Sequence, residues 1–191
     1  IMSPLDSIRY QKSFLRVGFV SMDPNTGHVK AYVGGPDFTH FQYDMASVGR
    51  RQIGSTVKPF LYTLAMEEGF TPCDMFLNEQ PTLITEDGKP WSPRNSSKAR
   101  VGEMVSLRWG LANSNNWISA RLMDKLSPSS LARLMHSFGI KNKIDEVISL
   151  CLGPVEVSVE EMVTAYTAFS NKGVRVDPLY VTRIAVSYTH L

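Results

Sequence analysis

Cysteine is scarce: Cys73 and Cys151 are the two in 191 residues, and they form no C-x-x-C pair. That spacing excludes a zinc ribbon or a dithiol redox motif. The plain reading is two buried thiols; the other is a disulfide in an oxidising compartment, which only the fold can decide. The four histidines, His28, His40, His136 and His190, stand far apart and outside any H-E-x-x-H pattern, so each reads as solvated or structural. Long apolar runs are missing as well. Phe60 to Met66 falls far short of the ~20 residues that cross a bilayer, and the first residues lack the layout of a signal peptide. Lysine and arginine are scattered and the formal charge is +2, without a basic block to track a phosphate backbone, so nucleic acid is not an expected partner. There is no internal repeat and no low-complexity tract.

What remains is a sequence of ordinary apolar content, long enough for one sizeable core. Leu15 to Met22 and His28 to Val33 are β-prone and flank Asp23-Pro24-Asn25-Thr26-Gly27, which is turn chemistry, so a β-hairpin is expected. A loop of mixed composition then leads from Gly34-Gly35-Pro36 to Gly54. From Ser55 to Glu68 the apolar residues Phe60, Leu61, Leu64 and Ala65 recur at helical spacing, with Pro59 near the start and Gly69 at the end, which predicts a buried helix. Thr71 to Arg100 is rich in proline and polar residues and reads as a long irregular connection. A helical stretch follows. Ser106 caps a short helix through Ala112, Ile118, Leu122, Met123 and Leu126 mark the face of a second, and Ser127-Pro128 opens a third that stops at Gly139. Ser158-Val159-Glu160-Glu161 is a capping box ahead of a helix to about Asn171, and Leu179 to Val186 is β-prone.

Two motifs carry chemistry. Ser55-Thr56-Val57-Lys58 is S-x-x-K, and at helical pitch a spacing of three puts hydroxyl and amine on one face, within hydrogen-bonding reach. A serine hydroxyl is a weak nucleophile until a base takes its proton, and a desolvated lysine loses its charge and can serve. At a helix start the Ser55 N–H also points toward a developing oxyanion. Because Lys58 precedes Pro59, which disfavours the α conformation, a distorted first turn is expected. The bland alternative is a capping serine with a solvated lysine. The second motif is Ser114-Asn115-Asn116, an S-x-N at the junction of two expected helices. Its hydroxyl is a candidate proton relay and the Asn116 amide a candidate contact for a substrate carbonyl. The bland alternative for Ser114 is an N-cap for the following helix.

S-x-x-K and S-x-N occur together, with K-T-G, in β-lactamases and penicillin-binding proteins. Gly49-Arg50-Arg51-Gln52-Ile53-Gly54-Ser55-Thr56-Val57-Lys58-Pro59-Phe60 resembles the nucleophile segment of class A, bifunctional penicillin-binding proteins. Three further stretches resemble the same family in the same order. They are Met22 to Gly27 with Val33-Gly34-Gly35, then Leu107 to Asn116, then Leu152-Gly153-Pro154-Val155-Glu156-Val157-Ser158. The S-x-N form and the G-S-x-x-K-P-F context favour a transpeptidase over a β-lactamase.

The resemblance implies an α/β (α+β) fold of the serine β-lactamase and penicillin-binding transpeptidase type, an antiparallel sheet flanked by helices with a helical subdomain, covering residues 8–184. It implies acyl transfer to Ser55 from a peptidoglycan stem peptide ending in D-Ala-D-Ala, with Lys58 as base, Ser114 as proton relay and Asn116 as substrate contact. β-Lactam antibiotics would mimic the donor, an amine on another stem would accept the acyl group, and no metal or organic cofactor is implied. A D,D-carboxypeptidase or β-lactamase shares this chemistry and differs in admitting water to the acyl-enzyme; a non-catalytic β-lactam sensor keeps the scaffold alone. The sequence departs from the family in containing no Lys-[Ser/Thr]-Gly tripeptide. The expectation is a domain cut off before that motif, with an aberrant tail over 185–191. The family's glycosyltransferase domain and N-terminal membrane anchor, which place it on the periplasmic side of the inner membrane, are expected upstream.

Overall fold

The computed structural model describes residues 2–185; the end of the β-prone stretch and most of the expected tail, 186–191, lie outside the described residues. Helix α1 (Pro4–Ser13) is followed by strands β1 (Phe19–Met22), β2 (Val29–Val33) and β3 (Arg50–Gln52). A 3-10 turn at Gly54–Val57 runs directly into α2 (Lys58–Glu67). Strands β4 (Met75–Leu77), β5 (Leu83–Ile84), β6 (Pro90–Trp91) and β7 (Met104–Ser106) come next. Then come α3 (Leu107–Ala112), α4 (Asn116–Lys125), α5 (Pro128–Ser137), a 3-10 turn at Ile148–Leu152, β8 (Glu156–Ser158) and α6 (Val159–Ser170). The strands pair two by two, β1 with β2, β3 with β8, β4 with β7 and β5 with β6.

The described residues form two compact units, one of residues 2–50 and 158–185, the other of residues 51–157. In the first, the expected hairpin forms with shorter strands, in the antiparallel register Phe19↔Val33, Val20↔Tyr32 and Ser21↔Ala31, with a bulge before Met22. Its turn is held by the Asp23 carboxylate, which accepts the N–H groups of Asn25 and Thr26 at 2.8 and 3.2 Å. Helix α6 packs on β1 and is capped as expected by Ser158, whose hydroxyl accepts the Glu161 N–H. Helix α1 was not read from the sequence, although Ser3 at its N-cap and Pro4 at its first turn are start signals; none of its residues is buried, so it has no apolar stripe to reveal it. The β-prone stretch from Leu179 makes an isolated parallel bridge to His28, and no strand forms over its described part.

The second unit is built around α2. Val57, Phe60, Leu61 and Ala65 are wholly buried, and the helix packs against α3, α4 and α5. Phe60 meets Phe138 edge to face at 5.0 Å. The connection from Thr71 to Arg100, expected to be irregular, contains β4, β5 and β6. Strands of two or three residues hold too few side chains to show an alternation in sequence. Both cysteines are free, Cys151 buried and Cys73 exposed, which corrects the reading of two buried thiols and makes no disulfide.

The turn at Ile148–Leu152 ends on Gly153, at φ 70°, and the 3-10 turn that holds Ser55 begins on Gly54, at φ 53°. The two backbones touch: the Gly54 N–H donates to the Gly153 carbonyl at 3.0 Å, and a Cβ on Gly153 would lie 2.2 Å from the Gly54 oxygen. Gly173 has a similar φ of 87° but open space around its missing Cβ. Alanine at either position costs roughly 1–2 kcal/mol for the left-handed backbone, and at Gly153 the steric conflict adds about 1–3 kcal/mol. Gly153→Ala is therefore expected to lower the unfolding temperature clearly more than Gly173→Ala; equal losses would mean that the contact with Gly54 yields without cost.

Candidate active site

The four residues to which the motifs assign chemistry, Ser55, Lys58, Ser114 and Asn116, all lie in the second unit, at two helix starts. The first carries Ser55 and Lys58. In an α-helix the Ser55 carbonyl would accept the N–H of residue 59, but that residue is Pro59 and has none. The Ser55 carbonyl instead accepts the Lys58 N–H, three residues on, and the turn tightens to 3-10. Lys58 itself keeps helical angles, φ −58° and ψ −40°, so the distortion expected from Lys58-Pro59 falls on the preceding turn and not on the lysine. In a 3-10 turn side chains at i and i+3 eclipse, which aligns Ser55 with Lys58 more closely than α pitch would. Three N–H groups open such a turn without an internal acceptor. Ile53 donates to Val155 and Gly54 to Gly153, which leaves the Ser55 N–H as the remaining donor beside its own exposed hydroxyl.

The second start is the junction of α3 and α4. Helix α3 ends in a Schellman arrangement: the Ser114 N–H donates to Leu111 and the Asn115 N–H to Gly110, both at 2.9 Å. The residue between must take a left-handed conformation, and it is Ser114, at φ 49°, where glycine is the inexpensive choice. Helix α4 then begins at once, capped by Asn115, whose side-chain oxygen accepts from Trp117 and Ile118 at 2.9 and 3.0 Å. The bland alternative for Ser114 is thereby corrected. Asn115 is the cap, and the Ser114 hydroxyl is released for another partner.

That partner is Lys58. Its amine donates to the Ser114 carbonyl at 2.5 Å, to Asn116 Oδ1 at 2.7 Å and to Ser114 Oγ at 3.1 Å. Lys58 is 1% exposed, so the solvated-lysine alternative is also corrected. Burial drags its pKa from 10.5 down to about 8. Burial also pushes the neighbouring Cys151 thiol up to about 12, so it is neutral near pH 7 and offers the amine no counter-charge there. The anticipated bond between Lys58 and the Ser55 hydroxyl is not among these contacts. Asn116 is fixed on its other side, donating from Nδ2 to the Arg94 carbonyl at 2.8 Å and from its backbone N–H to Asn95 Oδ1 at 3.2 Å. An amide NH2 has two donors, so one remains for a substrate carbonyl. Sequence reading missed Asn95, Asn115 and Cys151. Their signal, a polar or thiol side chain near a motif, is too common to stand out before the fold brings them together.

Two consequences are measurable. Because Ser114 bears left-handed strain, Ser114→Gly is expected to raise stability by about 1 kcal/mol; a loss of stability would mean that the hydroxyl contact with Lys58 outweighs the strain. For Lys58 the folded pKa lies below the unfolded one, so between about pH 8 and 10.5 the unfolded chain binds more protons, and stability rises with pH across that window. Relative to Lys58→Met, the wild type should gain about 2 kcal/mol between pH 7.5 and 9.5 in denaturant unfolding. Parallel curves for the two would show that the buried amine does not titrate there.

Residues 17–190 match the family described as the penicillin binding protein transpeptidase domain. Penicillin-binding protein 2D of Bacillus subtilis strain 168 is 33% identical over 180 residues, 94% of this chain and 26% of that protein. Penicillin-binding protein 1A of Rickettsia conorii is 36% identical over 165 residues, 85% of this chain and 21% of the relative. The crystal structure of penicillin-binding protein 1A from Haemophilus influenzae superposes with a TM-score of 0.80 at 29% identity, over 85% of this chain and 24% of that one. The chain thus spans about a quarter of the length of these relatives. Relatives of that name agree with the class A resemblance of the motifs, and the short antiparallel sheets flanked by helices are the fold expected from it. The chain belongs to the penicillin-binding protein transpeptidase domain family.

Proposed function

We propose that these residues are the acylating part of a serine D,D-transpeptidase that cross-links peptidoglycan, and that Ser55 is its nucleophile. The observation that supports this most is the buried Lys58 amine, held on Ser114 and Asn116 one 3-10 turn from Ser55. An ammonium has three N–H donors, one for each of its three oxygen contacts. When it loses a proton it has two donors and a lone pair. The Ser114 carbonyl and Asn116 Oδ1 are acceptors only and keep the two N–H groups, whereas a hydroxyl can reverse its role. Ser114 Oγ is therefore the contact that can turn round and donate to the amine.

This gives the order of steps. Neutral Lys58 takes the proton as Ser55 Oγ attacks the carbonyl of the penultimate D-Ala, with the Ser55 N–H facing the oxyanion. The proton passes by way of Ser114 to the nitrogen of the terminal D-Ala, which leaves as the C–N bond breaks. An ester remains on Ser55. The amine of a second stem then attacks that ester, its proton returns by the same path, and Ser55 is regenerated as the cross-link forms. A β-lactam enters as a donor whose leaving nitrogen stays attached, so the acyl-enzyme persists. In the whole protein this chemistry takes place on the extracytoplasmic side of a bacterial inner membrane. Among the described residues no helix is long and apolar enough to cross a membrane, so tethering would come from other parts of the protein.

A fluorescent penicillin incubated with the whole protein, followed by mass spectrometry of its peptides, should place the adduct on Ser55. In Lys58→Arg the charge stays but cannot leave, and labelling should slow by at least about a hundredfold while the fold survives. An adduct on Ser114, or unchanged labelling of a folded Lys58→Arg variant, would overturn the assignment. Slow release of the adduct separates a transpeptidase from a β-lactamase.

A further inference from the structure

Beneath the α3–α4 junction lies a second buried amide, Asn78, which directly follows β4 and is wholly buried. Each of its polar groups is in use. Its N–H donates to the Glu103 carbonyl at 2.9 Å and its carbonyl accepts from Gly102 at 3.0 Å, which extends the β4–β7 ladder. Its Nδ2 donates to the carbonyls of Ala99 and Arg100 at 2.9 and 2.8 Å. Its Oδ1 accepts from Asn115 Nδ2 at 2.8 Å. A side-chain amide that only filled space here would be more costly than an apolar residue of the same size. This one is oriented by four other bonds so that its oxygen meets Asn115.

Asn115 is pinned at both ends of its amide. The oxygen caps α4 through Trp117 and Ile118, and the nitrogen is held by Asn78. Its backbone joins Ser114, in its left-handed conformation, to Asn116, the two residues that receive the Lys58 amine. Rotation of the Asn115 side chain would shift both acceptors together.

We infer that Asn78 is a positioning residue for acylation: through Asn115 it ties the β4–β7 pair to the Ser114 and Asn116 oxygens and so fixes where the Lys58 amine stands. This rests on the function proposed above. The test uses the whole protein, with Asn78→Ala, Asn115→Ser and the double variant. Asn115→Ser keeps a neutral cap oxygen for α4 and removes the N–H that Asn78 accepts, so it separates positioning from folding. Labelling is followed over a range of fluorescent penicillin concentrations, which resolves the limiting first-order rate, the half-saturating concentration and the labelled fraction. In each single variant the limiting rate should fall about tenfold or more, with half-saturation unchanged within about twofold, as expected for a misplaced catalytic group. The double variant should be no slower than the worse single one, since both break one link. A packing role alone would lower the unfolding temperature and the labelled fraction and leave the limiting rate unchanged, and that result overturns the inference. So does a double variant as slow as the product of two independent effects, or a change confined to half-saturation. A wild type that forms no adduct on Ser55 sinks the acylation reading itself, and the inference with it; a labelled wild type beside unaffected variants sinks the inference alone.

Discussion

A lysine amine with almost no access to water must find oxygen atoms or give up its proton, and Lys58 does part of both. Three oxygens surround it, and burial still brings its pKa down to about 8. The other features of the site follow from this. The oxygens come from a stretch fifty-six to fifty-eight residues away in sequence, so the α3–α4 junction has to be carried to the base of α2 and held there. The packing of α2 against α3 and α4 does the carrying, and the cap at Asn115 does the holding.

The cost of that arrangement is concentrated at Ser114. Stopping one helix and starting another within three residues needs a left-handed residue between them, and glycine would supply it without strain. Serine there makes sense only if its side chain has work that glycine cannot do. The one side-chain hydrogen bond of Ser114 among the described residues is with the Lys58 amine, so the strained residue is also one that holds the buried charge. Backbone strain of this kind is common at functional sites, and here it has an identifiable local cause.

Much of this was legible from the sequence because it was local. The hairpin turn, the caps at Ser106 and Ser158, the helix at Phe60 to Ala65 and each of the two motifs taken singly lie within a few residues, whereas the pairing of S-x-x-K with S-x-N, more than fifty residues apart, came from the family resemblance. Two kinds of information were not. Short strands such as β5 and β6 form because a partner is present, and a pair of two-residue strands leaves no periodic trace. Assignments that depend on competition between neighbours also failed. Ser114 and Asn115 are both good capping residues, and only the Schellman bonds of α3, which force Ser114 into the left-handed region, decide that Asn115 caps α4. Asn78 was unreadable for a third reason, since its side-chain partners come from two segments more than twenty residues along the chain.

Pro59 illustrates how a local rule can be read correctly and still point to the wrong residue. The rule that the residue before proline avoids the α conformation directed attention to Lys58, yet Lys58 is helical. The consequence comes from proline's other property, its lack of an N–H. Without that donor the Ser55 carbonyl would be left unpaired at the helix start, and it is satisfied by Lys58 one residue earlier, which winds Gly54 to Val57 into a 3-10 turn. The tighter turn brings side chains at i and i+3 toward eclipse, here Ser55 and Lys58. A proline placed four residues after Ser55 thus shapes the turn that presents the Ser55 hydroxyl, by the N–H it removes from the backbone.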